Sequence, residues 1–91
     1  MVRIERTPKL SVVIPTRNEA KALPLLLADL KLWPNELEIC IVDAGSNDFT
    51  PNIANLYGAK LLKAKEPNRG MQMKLGATNS KGDWILFLHA D

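Results

Sequence analysis

Short apolar runs alternate with stretches of helical periodicity along most of the chain. Leu10–Pro15 is a continuous apolar run rich in β-branched residues, which predicts a strand buried on both faces. After a polar stretch, four leucines follow at the spacing i, i+3, i+4, i+7, which places them on one face of a helix: Leu23, Leu26, Leu27 and Leu30. Pro24 is compatible with this helix only in its first turn, and Trp33-Pro34 ends it.

The same alternation continues in the middle of the chain. Leu37–Asp43 predicts a second strand, and Ala44–Thr50 predicts a turn because it contains Gly, Ser, Asn and Asp. Thr50 followed by Pro51 is a favourable N-cap and first-turn pair, so we expect a short helix that runs through Tyr57.

The last third of the chain predicts a strand, a helix and a strand. Ala59–Ala64 is more polar than the first two runs, which is typical of an edge strand. Arg69–Ser80 predicts a third helix, with one face formed by Met71, Leu75 and Thr78. Asp83–Asp91 begins with a fourth strand, WILFLH, which is apolar on both faces.

This order of elements predicts an α/β fold with a parallel sheet, because strands that alternate with helices form βαβ units. Crossovers between parallel strands are right-handed in nearly all proteins. We therefore predict a three-layer, Rossmann-like βαβαβαβ arrangement with strand order 3-2-1-4. The first two helices should cover one face of the sheet and the third helix the other. Ligands of such sheets bind beyond the carboxyl ends of the strands, at the switch between strands 1 and 4.

Size and charge narrow the class of protein. The 91 residues predict one domain, 10–91, after an N-terminal extension, 1–9. The net charge of +2 is too balanced to indicate nucleic-acid binding. Cys40 lies in an apolar run, so we expect it to be a small buried residue. Because it is the only cysteine, no disulfide can form within the chain, which fits a reducing compartment. We expect a cytoplasmic location and leave membrane association of a longer protein open.

Polar residues follow every predicted strand, in Pro15–Glu19, Asp43–Ser46, Lys65–Arg69 and His89–Asp91. These clusters should meet at one edge of the sheet. Neither G-x-G-x-x-G nor G-x-x-x-x-G-K-[ST] occurs, so a nucleotide would not be held by a glycine-rich phosphate loop. A divalent cation is the natural substitute, because Mg²⁺ and Mn²⁺ take carboxylate and phosphate oxygens together. Asp91 is the best candidate ligand.

Four segments resemble the successive motifs of family-2 glycosyltransferases: Val12–Glu19 (VVIPTRNE), Ile41–Asp48 (IVDAGSND), Asn68–Gln72 (NRGMQ) and Leu86–Asp91 (LFLHAD). Their order and spacing match that family. The resemblance implies a GT-A fold and transfer of a sugar from a nucleoside diphosphate donor. The family's metal motif is usually Asp-x-Asp, whereas here His89 takes the first position. The chain therefore resembles a branch with His-Ala-Asp and an upstream Arg-Gly-x-Gln.

The resemblance also implies a role for individual residues. The nucleotide-sugar site would consist of Pro15, Thr16, Asn18, Glu19, Asp43, Arg69 and Gly70. Asp43 would accept a hydrogen bond from the base, and Arg69 would lie near the base and diphosphate. Asp91, with His89 as a second candidate, would bind Mn²⁺ or Mg²⁺, which stabilises the growing charge of the diphosphate leaving group. The donor would be a UDP- or GDP-sugar, and the base, sugar and acceptor stay open.

The same residues have structural alternatives. Asp43 could cap the turn before the second helix, and Ser46, Asn47 and Asp48 are better explained as turn and capping residues than as ligands. Asn18 and Glu19 could simply begin the first helix. Arg69 could form a surface ion pair with Glu66, and His89 a structural hydrogen bond.

Family-2 enzymes continue beyond the metal motif with an acceptor-binding half, which carries the catalytic base. No residue here can be assigned that role, so we expect a truncated donor-binding domain that is inactive by itself. The apolar fourth strand at a sheet edge predicts self-association. The rival functions are a nucleotidyltransferase that makes nucleotide sugars and a non-catalytic α/β interaction module. Binding of UDP or GDP that depends on Mn²⁺ would separate these from a transferase.

Overall fold

The computed structural model describes residues 9–91, so residues 1–8 of the predicted extension lie outside the described part. Strands and helices alternate strictly: β1 (Leu10–Thr16), α1 (Leu23–Lys31), β2 (Leu37–Asp43), α2 (Thr50–Leu56), β3 (Lys60–Lys63), α3 (Arg69–Thr78) and β4 (Trp84–Phe87). Each of the three helices in this part of the chain is too short to cross a membrane.

The four strands form one parallel sheet with the order β3-β2-β1-β4, which confirms the predicted topology. β1 and β2 pair over their whole length, from Leu10 opposite Leu37 to Thr16 opposite Asp43. β4 pairs with the first four residues of β1 and ends with Phe87 opposite Val13. Because the strands are parallel and in register, the loops that follow them leave the sheet at the same edge.

The helices lie on both faces of the sheet, as the crossover rule predicts. α1 and α2 cover one face, where the larger apolar cluster contains Val12, Ile14, Leu23, Leu27, Ile41, Ala54 and Ala90. α3 covers the other face, where Leu75 packs against Val13, Cys40 and Val42. Cys40 is fully buried, and this burial raises the pKa of its thiol.

α3 lies unusually close to the sheet at Gly76. A Cβ atom added there would lie 3.0 Å from Val42 Cγ2 and closer still to Val13 Cγ1. The buried residues of α3 are Gln72 and Gly76, one turn apart. The predicted face is therefore right only at Leu75, which packs against the sheet, whereas Met71 is 60% exposed and Thr78 is also exposed. Hydrophobicity favoured Met71, but the closest contact of the helix with the sheet is made at Gly76.

Several element ends differ from prediction: β1 also includes Thr16, α2 ends at Leu56 rather than Tyr57, and β4 ends at Phe87 rather than His89. Thr50 is not the N-cap of α2, because its backbone N–H is itself capped by Asp48 Oδ1 at 3.0 Å. α3 ends at Thr78 rather than Ser80, since Asn79 Nδ2 and Ser80 Oγ donate to carbonyls of the last turn. β3 keeps only the four residues that pair with β2.

Candidate functional site

The loops after β1 and β2 are joined by a series of hydrogen bonds. The Asn18 N–H donates to Ser46 Oγ (2.8 Å), and the Asn47 N–H donates back to Asn18 Oδ1 (2.8 Å). The Glu19 N–H donates to Thr50 Oγ1 at 2.9 Å. Asn18 adopts a left-handed backbone with φ of 55°, which asparagine tolerates better than most residues. The first residues after β1 are thus fixed by the loop that follows β2.

Asp48 supports the same junction from the start of α2. Its Oδ2 accepts a hydrogen bond from the Ala20 N–H at 3.2 Å, while its Oδ1 accepts from the Thr50 N–H and hydroxyl. The Thr50 hydroxyl and these N–H groups hold the pKa of Asp48 below its ordinary value. Asp48 therefore has the turn and capping role that the sequence predicted for it.

Asp43 lies at the end of β2 and is almost fully buried, with 3% exposure. Its Oδ1 accepts hydrogen bonds from the hydroxyls of Thr16 (2.8 Å) and Ser46, and its Oδ2 accepts from the Ser46 N–H (3.0 Å). The carboxylate therefore links the ends of β1 and β2 and caps the turn that follows. That Asp43 accepts a hydrogen bond from a base stays a prediction, and Oδ2, which accepts one hydrogen bond inside the protein, has capacity for a second.

A cleft of about 250 Å³ opens beside this junction, between the β1–α1 loop and the start of α3. Its walls are formed by Pro15, Thr16, Arg17, Glu19, Pro67, Arg69 and Gln72. Four of the predicted site residues, Pro15, Thr16, Glu19 and Arg69, thus border one cavity. The walls do not include the other predicted residues, which are Asn18, Asp43, Gly70, His89 and Asp91.

Three residues of the cleft, Arg17, Pro67 and Gln72, were missed by sequence reasoning. Arg17 is exposed at the rim and lies inside a motif that had already been singled out, so its charge was an available signal. Gln72 is only 5% exposed. A glutamine one turn before a helical glycine gave a weak signal, because its burial depends on carbonyl groups that are distant in sequence.

The amino end of α3 borders the cleft. Asn68 caps the helix, since its Oδ1 accepts a hydrogen bond from the Met71 N–H at 3.0 Å. A helix N-terminus carries a partial positive charge that favours anions. Gly70 is exposed in the first turn, and a Cβ atom there would meet only Asn68 Oδ1, at an ordinary 3.5 Å. Packing alone therefore does not require glycine at position 70.

The candidate metal ligands follow β4. The Leu88 N–H donates to Val13 O at 3.1 Å, which keeps the chain beside β1 after β4 ends. Ala90 is buried in the larger apolar cluster, whereas His89 and Asp91 on either side of it are exposed. Within residues 9–91, no group of three or more His, Cys, Asp or Glu side chains is arranged to hold a metal ion.

The first and third motifs border the cleft, and the second is hydrogen-bonded to the first. Sequence comparison assigns the chain to a family. The family described as Glycosyl transferase family 2 matches residues 11–91. The chain belongs to glycosyltransferase family 2. Its relatives include 4,4'-diaponeurosporenoate glycosyltransferase of Staphylococcus haemolyticus, which is 37% identical over 94 residues, covering 96% of this chain and 25% of that protein.

Solved structures share the fold of this family-2 domain. Glucosyl-3-phosphoglycerate synthase from Mycobacterium tuberculosis, in complex with Mn²⁺, UDP and glucosyl-3-phosphoglycerate, has a TM-score of 0.80 at 23% identity, over 92% of this chain and 34% of that one. Mannosyltransferase PcManGT from Pyrobaculum calidifontis, in complex with GDP-Man and Mn²⁺, has a TM-score of 0.84 at 22% identity, over 94% of this chain and 28% of that one. The fold is thus the predicted GT-A type, and the chain spans about a third or less of these proteins.

Proposed function

We propose that this domain binds a nucleoside diphosphate sugar and forms the donor-binding portion of a glycosyltransferase, which transfers the sugar to an acceptor hydroxyl. The observation that carries the proposal is the cleft at the carboxyl edge of the sheet, which has Arg17 and Arg69 on its walls and the amino end of α3 beside it. Guanidinium groups and helix N-termini both favour phosphate oxygens. Membership of family 2 favours this function over that of a nucleotidyltransferase or of a non-catalytic α/β interaction module.

UDP- and GDP-sugars are the proposed donors. The synthase with 23% identity carries UDP, and the mannosyltransferase with 22% identity carries GDP-Man, so the fold serves both bases. In this domain Arg17 and Arg69 would offset the charge of the diphosphate. Pro15 and Thr16, fixed by the junction with β2, would form the wall against the nucleoside.

A divalent cation is proposed to bind together with the nucleotide. The chain offers one imidazole and one carboxylate after β4, from His89 and Asp91, and both are exposed. Since the described residues hold no cluster of three ligands, diphosphate oxygens and water would complete the coordination shell. The donor set therefore fits a cation that arrives with the diphosphate, and Mn²⁺ is the ion in both related complexes. Such a cation neutralises charge on the leaving diphosphate.

Titration calorimetry with UDP and GDP, with and without Mn²⁺, tests the proposal. We expect binding of at least one nucleotide that strengthens with Mn²⁺, and a roughly tenfold loss in Arg69→Ala, as for one charge-assisted contact. Lys74→Ala is the matched control, since Lys74 is an exposed cation on the same helix that does not border the cleft. Failure of both nucleotides to bind in the presence of Mn²⁺ would contradict the proposal.

Self-association through β4 is proposed as a second property of the domain. β4 pairs with β1 on one side, and its four residues are all exposed, with Trp84 at 75% and Leu86 at 43%. An apolar edge strand of this kind is a template for another strand. A second copy of the domain could cover it by pairing along the free edge.

A further inference from the structure

Gln72 is a polar residue in the position where a helix normally presents an apolar one. It lies on the face of α3 that meets the sheet, one turn before Gly76, and is 5% exposed. A buried carboxamide is costly unless its polar atoms find partners. The close approach of α3 at Gly76 brings this side chain within reach of the backbone at the ends of β1 and β2.

Both N–H groups of the Gln72 carboxamide are used inside the protein. Nε2 donates to Val42 O at 2.9 Å and to Thr16 O at 3.2 Å. Since carbonyl oxygens can only accept hydrogen bonds, these two partners fix which end of the carboxamide carries the nitrogen. The side chain is thus held in one orientation by two strands.

The carboxamide oxygen of Gln72 makes no hydrogen bond within residues 9–91. Neither hydrogen bond of Gln72 uses Oε1. Among residues 9–91, no side-chain polar atom that is shielded from solvent lacks a hydrogen-bond partner, so Oε1 is not a buried orphan. Gln72 borders the cleft between Arg17, Glu19 and Arg69, which is where its oxygen can meet a ligand.

We propose that Gln72 Oε1 accepts a hydrogen bond from an N–H or O–H group on the nucleoside part of the donor, and so helps to select nucleotides over other phosphates. This inference rests on the proposed function. Arg17 and Arg69 can only donate hydrogen bonds, so they suit phosphate oxygens. Uracil and guanine carry an imino N–H, and ribose carries hydroxyls. A neutral acceptor recognises these donors without adding a negative charge beside the diphosphate.

The comparison of UDP with inorganic pyrophosphate separates this role from a general loss of the fold or of the phosphate site. Fully ionised pyrophosphate has no N–H or O–H donor, so its binding should not depend on Oε1. We expect Gln72→Met to weaken UDP binding about tenfold in the presence of Mn²⁺, the effect of one hydrogen bond, and to change pyrophosphate binding less than twofold. Met71→Ala, at the exposed neighbouring position, should change neither.

Equal losses for UDP and pyrophosphate, or no loss for either, would overturn the role of Gln72 while the proposed function stands. If the unaltered chain binds neither UDP nor GDP, both proposals fall.

A measurement on the unaltered chain covers the case in which Gln72→Met does not fold. N3-methyl-UDP, 2′-deoxy-UDP and 3′-deoxy-UDP each lack one candidate donor, and one of them should bind about tenfold more weakly than UDP. The ¹³Cδ shift of Gln72 should also change when UDP binds. Unchanged affinity for all three analogues, or an unchanged shift, would refute the inference.

Discussion

Ser11 is fully buried near the amino end of β1, and its hydroxyl joins three parts of the chain. It donates to Glu38 Oε1 on β2 at 2.7 Å and accepts from the Gly82 N–H at 2.8 Å. The Lys81 N–H donates to the same Glu38 oxygen at 2.7 Å. A Cβ atom on residue 82 would lie 2.6 Å from Ser11 Oγ, so glycine is required there by space. One carboxylate thus ties the loop before β4 to the two central strands.

Glu38 should make the stability of the domain sensitive to acid. Burial raises the pKa of Glu38, but hydrogen bonds from Lys81 and Ser11, together with the charges of Lys60 and Lys81, outweigh it and leave the pKa below the ordinary value of 4.5. Because the pKa of Glu38 is lower in the folded than in the unfolded chain, ionised Glu38 stabilises the fold above pH 4.5. This contribution to the free energy of unfolding is lost as the pH falls through the pKa of the folded state.

Thermal unfolding at pH 7 and pH 3 measures this contribution. We expect Glu38→Gln to be less stable than the unaltered chain at pH 7, and the difference to shrink at pH 3. Glu36→Gln, at an exposed position, is the control and should leave the melting curves unchanged. If Glu38→Gln lowered the melting temperature equally at both pH values, the charge of Glu38 would play no part in stability.

At the scale of elements, sequence patterns predicted the strands and their order well, for a physical reason. A strand such as β1 is buried on both faces, so nearly every residue must be apolar and the pattern is unambiguous. α3 was harder, because its contact face is set by the absence of a side chain at Gly76 and by carbonyl partners of Gln72. Four of the residues predicted from motifs border the cleft, but the internal hydrogen bonds of Asp43 depend on loops that only the fold brings together.

Gly76→Ala should move α3 away from the sheet. The added methyl group would overlap Val13, and overpacking of this kind destabilises a core by about 1–3 kcal/mol, more than the gain of about 1 kcal/mol in helix propensity. Gly70→Ala is the matched control on the same helix, because its methyl group meets nothing closer than 3.5 Å. Urea unfolding should show a loss for position 76 only. Equal stability of the two variants would mean that the contact at Gly76 is easily relaxed.

The exposed apolar residues of β4 should control association of the domain. Leu86→Lys places a charge on the open edge strand, so we expect a shift toward monomer in sedimentation experiments at high protein concentration. Leu56→Lys changes an equally apolar residue on α2, at 82% exposure, and should leave association unchanged. Sedimentation of the unaltered chain as a monomer throughout would argue against pairing through β4.

At the scale of the whole molecule, the chain spans about a quarter of the Staphylococcus relative and about a third of the synthase. The residues of the cleft are suited to binding a nucleotide. We assign none of them the role of the base that deprotonates an acceptor hydroxyl. We therefore expect the 91-residue chain to bind UDP or GDP without transferring sugar. A radiolabelled UDP-sugar with a panel of hydroxyl acceptors measures this, and turnover above a heat-denatured control would contradict it.

The two walls of the cleft are anchored very differently. The wall after β1 is tied to the β2 loop through Thr16, Asn18 and Glu19, and none of those bonds involves α3. The opposite wall belongs to a helix whose polar attachment at the cleft is a single carboxamide. Substitutions on α3 that keep Gln72, which is bonded to Thr16 O, should therefore change which donor is accepted while the hydrogen bonds of the other wall stay intact. Divergence of specificity among related domains should concentrate on that helix.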